Sequence, residues 1–205
     1  MNILDTLVRY FERFPGIGSR QAKRFAFHIL TLSPSDRTEL AKLIASVSDT
    51  VIECTSCRRY FTRNGGTATE CELCRNTSRD RTKLLVVERD NDIVPIERSG
   101  VYDGLYFVLG GTVPLLDGKE DVKVRGNGLK HVVAARLQEG LSEVILGFAV
   151  NPDGENTARF VEQLLAPFQA EHPLTFSHLG RGLSTGSELE YADPETIKNA
   201  LRNRG

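Results

Sequence analysis

Apolar positions change their period along this chain. Up to about residue 50 they recur at helical spacing. Ile3, Leu4, Leu7, Val8 and Phe11 form one stripe, which Pro15, Gly16 and Gly18 bring to an end. A second helix is predicted from Ser19, a good N-cap, with Ala22, Phe25, Ala26 and Ile29 on its buried face. A third opens at Ser33, with Pro34 at its first position and Asp36 completing a capping-box pattern. This helix is expected to turn Leu40, Leu43, Ile44 and Val47 inward. Between Cys54 and Cys74 apolar residues are sparse and Asn64-Gly65-Gly66 marks a turn, so that segment has no core of its own. Residues 84–87, 105–109 and 144–150 are short, nearly continuous apolar runs, which suit strands covered on both faces. Helix-like stretches at 128–138 and 156–168 lie between and after them, an alternation that predicts a parallel, doubly wound sheet. Residues 193–204 read as a last helix, capped by Asp193 with Pro194 at its first position.

The fold class expected is therefore α+β and multi-domain. An N-terminal helical hairpin domain covers residues 1–52, a small four-cysteine module 53–80, an α/β domain with a parallel sheet 81–176, and a C-terminal segment with its helix 177–205.

Charge sharpens this division. The 205 residues carry a formal net charge of −1, but residues 1–85 hold 14 lysines and arginines against 9 acids, and the remaining 120 hold 12 against 18. A basic front and an acidic back predict two surfaces with different partners, nucleic acid being the usual attraction for the first. No apolar run approaches the roughly 18–20 residues of a membrane-spanning helix. No basic leader precedes an apolar stretch at the N-terminus, so the chain is expected to be cytoplasmic, where thiols stay reduced.

Three groups of residues carry candidate chemistry. Cys54-x-x-Cys57 and Cys71-x-x-Cys74 are two knuckles separated by thirteen residues. Facing each other they make a closed tetrahedral sulfur site that suits structural Zn²⁺; a redox dithiol pair and an iron–sulfur cluster are the alternatives. The second group is Phe14-Pro15-Gly16-Ile17-Gly18, followed by Arg20, Lys23 and Arg24 on one helix face. Gly16 and Gly18 allow the backbone close to a phosphate, and the three cations can neutralise backbone charge without reading bases. The bland alternative is a glycine-rich corner between helices with an ordinary solvated basic face. The third group is acidic: Glu88 ends the first predicted strand, and Asp153-Gly154-Glu155 follows the strand expected to end at Val150. At the carboxyl ends of parallel strands three such carboxylates would line the crevice where sites form. This placement resembles the Toprim fold, whose catalytic members hold Mg²⁺ on such acids; Pro152-Asp153-Gly154 is also good turn chemistry. Residues 111–119 have the wrong glycine spacing for a phosphate-binding P-loop, and Gly180, Gly182 and Gly186 the wrong spacing for a dinucleotide fingerprint.

The order of these parts resembles the RecR family of bacterial recombination mediators. Phe14-Pro15-Gly16-Ile17-Gly18, Arg24-Phe25-Ala26-Phe27-His28, the four cysteines, Val86-Val87-Glu88, Tyr106-Phe107-Val108-Leu109, Val144-Ile145-Leu146 and Gly186-Ser187-Glu188-Leu189-Glu190-Tyr191 carry the likeness. The resemblance implies a helix-hairpin-helix, a four-cysteine zinc finger and a Toprim domain. It also implies a DNA-repair scaffold, not an enzyme, that binds double- and single-stranded DNA without sequence preference. It implies homodimers and ring-like homotetramers that encircle duplex, cooperation with RecO and RecF in recombinase loading, and a nucleoid-associated location. By the same resemblance Arg20 and Arg24 match the family's basic hairpin-helix positions, and with Gly16, Gly18 and Lys23 they make up the expected DNA-binding set. Glu88, Asp153 and Glu155 are Toprim acids facing RecO, with Mg²⁺ there left open, and the tail from Gly180 to Asp193 matches a Walker B-like region. A Mg²⁺-dependent Toprim nuclease or topology-changing enzyme is the competing expectation. The chain departs from the family in a longer stretch between Cys57 and Cys71, a shorter loop before Asp153, and Asp-Gly-Glu where two glutamates usually flank the glycine.

Overall fold

The computed structural model describes residues 2–63, 65–115, 124–180, 182–183, 186 and 188–202. Ser184, Thr185, Ser187 and residues 116–119 of the 111–119 stretch lie outside the described residues, as do the last residues of the expected C-terminal helix. The chain divides into two compact units, residues 1–51 and 52–205.

The first unit is three helices: α1 (Ile3–Glu12), α2 (Ser19–Thr31) and α3 (Pro34–Thr50). Asn2 caps α1 by accepting the Asp5 N–H at 2.8 Å. Val8, Ala22 and Ala26 are its buried apolar residues, with Leu4, Leu7, Phe11 and Ile17 packed against them. Ile17 thereby anchors the α1–α2 connection to both helices. Ser33 caps α3 through the Asp36 N–H at 3.1 Å, and Arg37 reaches back to the Leu32 carbonyl at 3.0 Å. The inward face expected of α3 is not inward. Leu43, Ile44 and Val47 are 61%, 66% and 51% exposed, and α3 has no buried residue at all. On α2, Phe25 also stands exposed and Ile29 is only half-buried. With alanines at the α1–α2 contact, the helices meet closely and leave their larger side chains outside.

The second unit begins within a two-stranded ribbon, β1 (Val51–Glu53) and β2 (Tyr60–Thr62), which a single turn, α4 (Glu72–Arg75), follows. Then follow β3 (Asp80–Val87), α5 (Asp90–Ser99), β4 (Gly104–Val108), α6 (Gly126–Leu137), β5 (Glu143–Gly147), α7 (Pro152–Glu171) and β6 (Thr175–His178). A short 3₁₀ turn (Leu189–Tyr191) precedes α8 (Pro194–Arg202), where Asp193 accepts the Thr196 N–H at 3.0 Å. The sheet is ordered β4-β3-β5-β6, and every neighbouring pair is parallel.

Alternation along the central strands divides the core. Leu84, Val86, Leu105, Phe107, Val144 and Leu146 pack on one face with Leu129 and Val133 of α6 and Val161 and Leu165 of α7. Leu85, Val87, Tyr106 and Val108 pack on the other with Ile93 of α5. This two-sided covering is why β3 and β4 read as unbroken apolar runs.

Three expectations change. The third strand stops at Gly147, not Val150, and Val150 is exposed. The following helix starts at Pro152, not 156, because Asn151 caps it by accepting the Gly154 N–H at 2.7 Å. Asp153 and Glu155 therefore sit in a first helical turn. Helix α5 and strand β6 were not expected; α5 is capped by Asp92, which accepts the Arg89 N–H at 2.7 Å, and closes on Gly100 at φ +67°.

Candidate metal centre and nucleic-acid interface

The first cysteine turn is held by two backbone bonds: the Cys54 N–H to the Arg59 carbonyl at 2.8 Å, and the Arg58 N–H to the Cys54 carbonyl at 3.0 Å. The second turn runs into α4, with the Arg75 N–H on the Cys71 carbonyl at 3.1 Å. Together they bury all four cysteines, and their four Sγ atoms lie within 4.8 Å of one another. Cys54–Cys74 and Cys57–Cys71 Sγ separations are 3.8 and 3.6 Å. Sulfurs at the corners of a tetrahedron around a metal, each about 2.3 Å from it, stand about 3.8 Å apart. The thiols are free and too far apart for disulfides. The residues fit a closed four-sulfur metal site.

Four thiols this close must share protons. Donation from Cys57, then Cys71 and Cys74, holds Cys54 far below the ordinary thiol value. Cys71 is pushed up by Cys54 but drawn down further by Cys57 and Cys74, to about 7. Contact with Cys54 pushes Cys57 and Cys74 up. A cation among the sulfurs would favour the thiolate at every one.

This centre is tied into the sheet. The Val108 N–H donates to the Cys57 carbonyl at 2.8 Å, and the Tyr60 N–H to Asp90 Oδ1 at 2.6 Å. Glu53 receives Arg58 at 3.3 Å and Arg125 at 3.1 Å, while Arg125 also donates to the Val108 carbonyl at 3.2 Å. Leu73 packs against both the cysteine cluster and the α5 side of the sheet. None of Glu53, Arg58, Asp90 and Arg125 stood out in the sequence; the Tyr60–Asp90 and Glu53–Arg125 contacts join residues 30 and 72 positions apart.

The hairpin between α1 and α2 turns at Gly16, whose φ of +75° is left-handed and favours glycine. Gly18 is the N-cap of α2, in extended conformation, and a Cβ there would meet nothing within 4 Å. No side chain caps α2 and no acid occupies its first turn, so its N–H groups and positive dipole end are unneutralised. Arg20, Lys23 and Arg24 are exposed, and none forms an ion pair with a described residue.

Glu88 follows β3, and Asp153 and Glu155 open α7 after β5, the neighbouring parallel strand. All three stand toward the carboxyl end of the sheet. Glu88 pairs with Arg89 at 2.7 Å. Asp153 accepts the Leu115 N–H at 3.0 Å. Glu155 lines a cleft of about 360 Å³ with His178 and Asn199. Their carboxylates do not gather as the thiols do; among the described residues the four cysteines are the group close enough to hold a metal ion. No helix among the described residues is long and apolar enough to cross a membrane.

These features define a class: a Toprim protein preceded by a helical hairpin and a four-cysteine metal-binding module. A family model described as "RecR, helix-hairpin-helix" matches residues 4–47, one described as "Toprim domain" matches 82–178, and one described as "RecR, C-terminal" matches 182–204. The chain is 40% identical over 200 residues to the Recombination protein RecR of Chloroflexus aggregans, covering 97% of this chain and 91% of that protein. It is 38% identical over 201 residues to that of Rubrobacter xylanophilus and 37% over 205 residues to that of Chlorobium phaeobacteroides, each covering 98% of this chain and 95% of the relative. The chain belongs to the RecR family of recombination proteins.

Proposed function

We propose that the protein is a non-enzymatic mediator of DNA repair and recombination, a clamp on DNA without sequence preference that works with RecO and RecF in recombinase loading at single-strand gaps. The unneutralised N-terminus of α2 beside Arg20, Lys23 and Arg24 carries the DNA part of this reading. Gly16 and Gly18 give phosphate access to that end. One such hairpin grips weakly and releases with salt, and several in a ring of identical subunits would add through effective concentration. The uncovered apolar faces of α2 and α3, with Phe27, Leu30, Leu43 and Ile44 all more than half exposed, support burial against further copies of this chain. Four soft thiols with no place left for water suit structural Zn²⁺ at Cys54, Cys57, Cys71 and Cys74. Glu88, Asp153 and Glu155 would face RecO as an acidic surface. The work divides along the chain as hairpin (1–52), zinc finger (53–80), Toprim domain (81–176) and C-terminal segment (177–205), in a cytoplasmic, nucleoid-associated protein.

The test is DNA retention by the full chain with Arg20→Ala and Arg24→Ala together. Loss of affinity by tenfold or more at low salt, uniform across sequences and with a shallower salt dependence, is expected. Unchanged retention would exclude the hairpin as the DNA contact. The Toprim match leaves a nuclease or topology-changing reading with Mg²⁺ on the same acids. Cleavage of nicked or duplex DNA that disappears in Glu88→Gln would favour it.

A further inference from the structure

We propose that a second cleft, on the metal-binding side of the sheet unit, holds a phosphate group of the DNA backbone. The inference rests on DNA being the ligand but not on the hairpin.

The cleft has a volume of about 470 Å³, and Arg58, Arg81, His131 and Arg136 line it together with Glu70 and Glu139. Arg58 comes from the first cysteine turn, Arg81 from the start of β3, and His131 and Arg136 from α6. Four separate stretches of chain meet here within one compact unit.

Acids are short of what these arginines need. Arg81 and Arg136 both end on the same oxygen, Oε2 of Glu139, at 2.9 Å each. Arg58 shares Glu53 with Arg125. In the cleft itself three guanidiniums stand with two carboxylates, Glu139 and Glu70, and Glu70 is bonded to Ser56 Oγ. Burial works against the Glu139 charge, but Arg136 and Arg81 together hold its carboxyl below the ordinary value, so it stays ionised between them.

Each guanidinium carries five donors in a planar fork. Arg81 and Arg136 each spend one side-chain bond on Glu139, and no other side-chain bond of either to a described residue is present. Among the described residues no buried side-chain nitrogen lacks a partner, so the spare donors face solvent. The Arg136 side chain is only 9% exposed, so its fork is held in place before any ligand arrives. A pre-set fork with free N–H groups beside a second guanidinium and an imidazole is the donor set that phosphate oxygens accept.

Val132 and Ala135 are the aliphatic lining. Sites for small organic ligands are mostly apolar, whereas a backbone phosphate needs charge and donors alone. That favours the polymer over a free phosphate-bearing metabolite.

The experiment uses the full, metal-loaded chain and a labelled 30-base-pair duplex, read by fluorescence anisotropy across a salt series. The pair Arg81→Gln and His131→Gln should raise the apparent Kd three- to tenfold and lower the salt slope by about one. Arg81→Lys should restore most of the affinity, and His131→Glu, at an exposed position that folding does not need, should weaken binding by itself. Inorganic pyrophosphate should not compete below millimolar concentration. Unchanged Kd and slope in His131→Glu and in the Gln pair would overturn the proposal. So would micromolar pyrophosphate binding, lost in the Gln pair, with DNA affinity intact. Combining the Gln pair with Arg20→Ala and Arg24→Ala separates the two contacts: loss with the hairpin pair alone leaves the hairpin standing and sinks the cleft, and loss with the cleft pair alone does the reverse.

Discussion

The two units of this chain bury apolar surface in opposite ways. In residues 1–51 three small side chains make up the buried set, and the larger apolar residues of α2 and α3 stand outside it. In residues 52–205 both faces of β3 and β4 are sealed, and Phe107, eight leucines and three valines are almost wholly withdrawn from water. Both units show regular apolar periodicity in the sequence. Periodicity reports which side chains share a face; it does not report whether the chain itself supplies the cover. The sheet completes its own core. The helical unit leaves an apolar face that it does not bury itself, and the proposed self-association rests on that face.

Within the second unit the cysteine module is a third case, since it has almost no apolar material and relies on its four sulfurs. The sharpest break in the comparison is therefore Cys57→Ser. Metal binding contributes on the order of 10 kcal/mol to folding in small zinc peptides, and a lost ligand removes much of it. Expected are loss of stoichiometric metal by elemental analysis, and rapid proteolysis between residues 52 and 80 with the helical unit still intact. A soluble, protease-resistant, metal-free variant would break the comparison.

The next effect belongs to the sheet. Phe107→Ala leaves a cavity at a fully buried position and should cost about 3–5 kcal/mol, seen as a lower denaturation midpoint. Ile44→Ser on α3 removes as characteristic an apolar residue from a face 66% exposed at that position. It should change subunit stability by less than about 0.5 kcal/mol, while shifting the mass in solution toward smaller species. Equal destabilisation by the two changes would show that α3 is buried within the subunit after all.

Legibility in the sequence followed the same physics. Strands β3 and β4 were readable because both faces are apolar. Strand β6 was not, since Thr175-Phe176-Ser177-His178 lies at the sheet edge with two exposed residues. Pro95 inside α5 obscured that helix, although Asp92 and Gly100 were there as its start and stop signals. The start of α7 was hidden because Pro152-Asp153-Gly154 suits a turn as well as a first helical turn, and the Asn151 cap decides between them. The four cysteines were legible because spacing alone brings thiols together. Their attachment to the sheet was not, since Glu53 and Arg125 meet across 72 residues of sequence. The cleft of Arg58, Arg81, His131 and Arg136 was illegible for the same reason: no local pattern links its four contributors.

The last expected effect, a small one that depends on pH, lies where the sheet unit meets water, at the first residue of β3. Thr82 Oγ1 donates to Asp80 at 2.6 Å, Lys83 pairs with it at 2.9 Å, and the Thr82 N–H adds a third bond at 2.9 Å. In that order these hold the Asp80 carboxyl down to about 2. In the unfolded chain it titrates near its free value of about 3.9. A depressed folded value means the stabilisation is complete above about pH 4 and is lost as pH falls from there toward 2. Asp80→Asn should therefore flatten the stability–pH slope in that window and cost under about 1 kcal/mol at neutral pH, as for other largely solvated pairs. The buried-face variant Phe107→Ala should lower stability by the same amount at every pH, because no titrating group is removed. A slope between pH 4 and 2 that is identical in Asp80→Asn and the parent would move the acid response to other carboxylates of the chain.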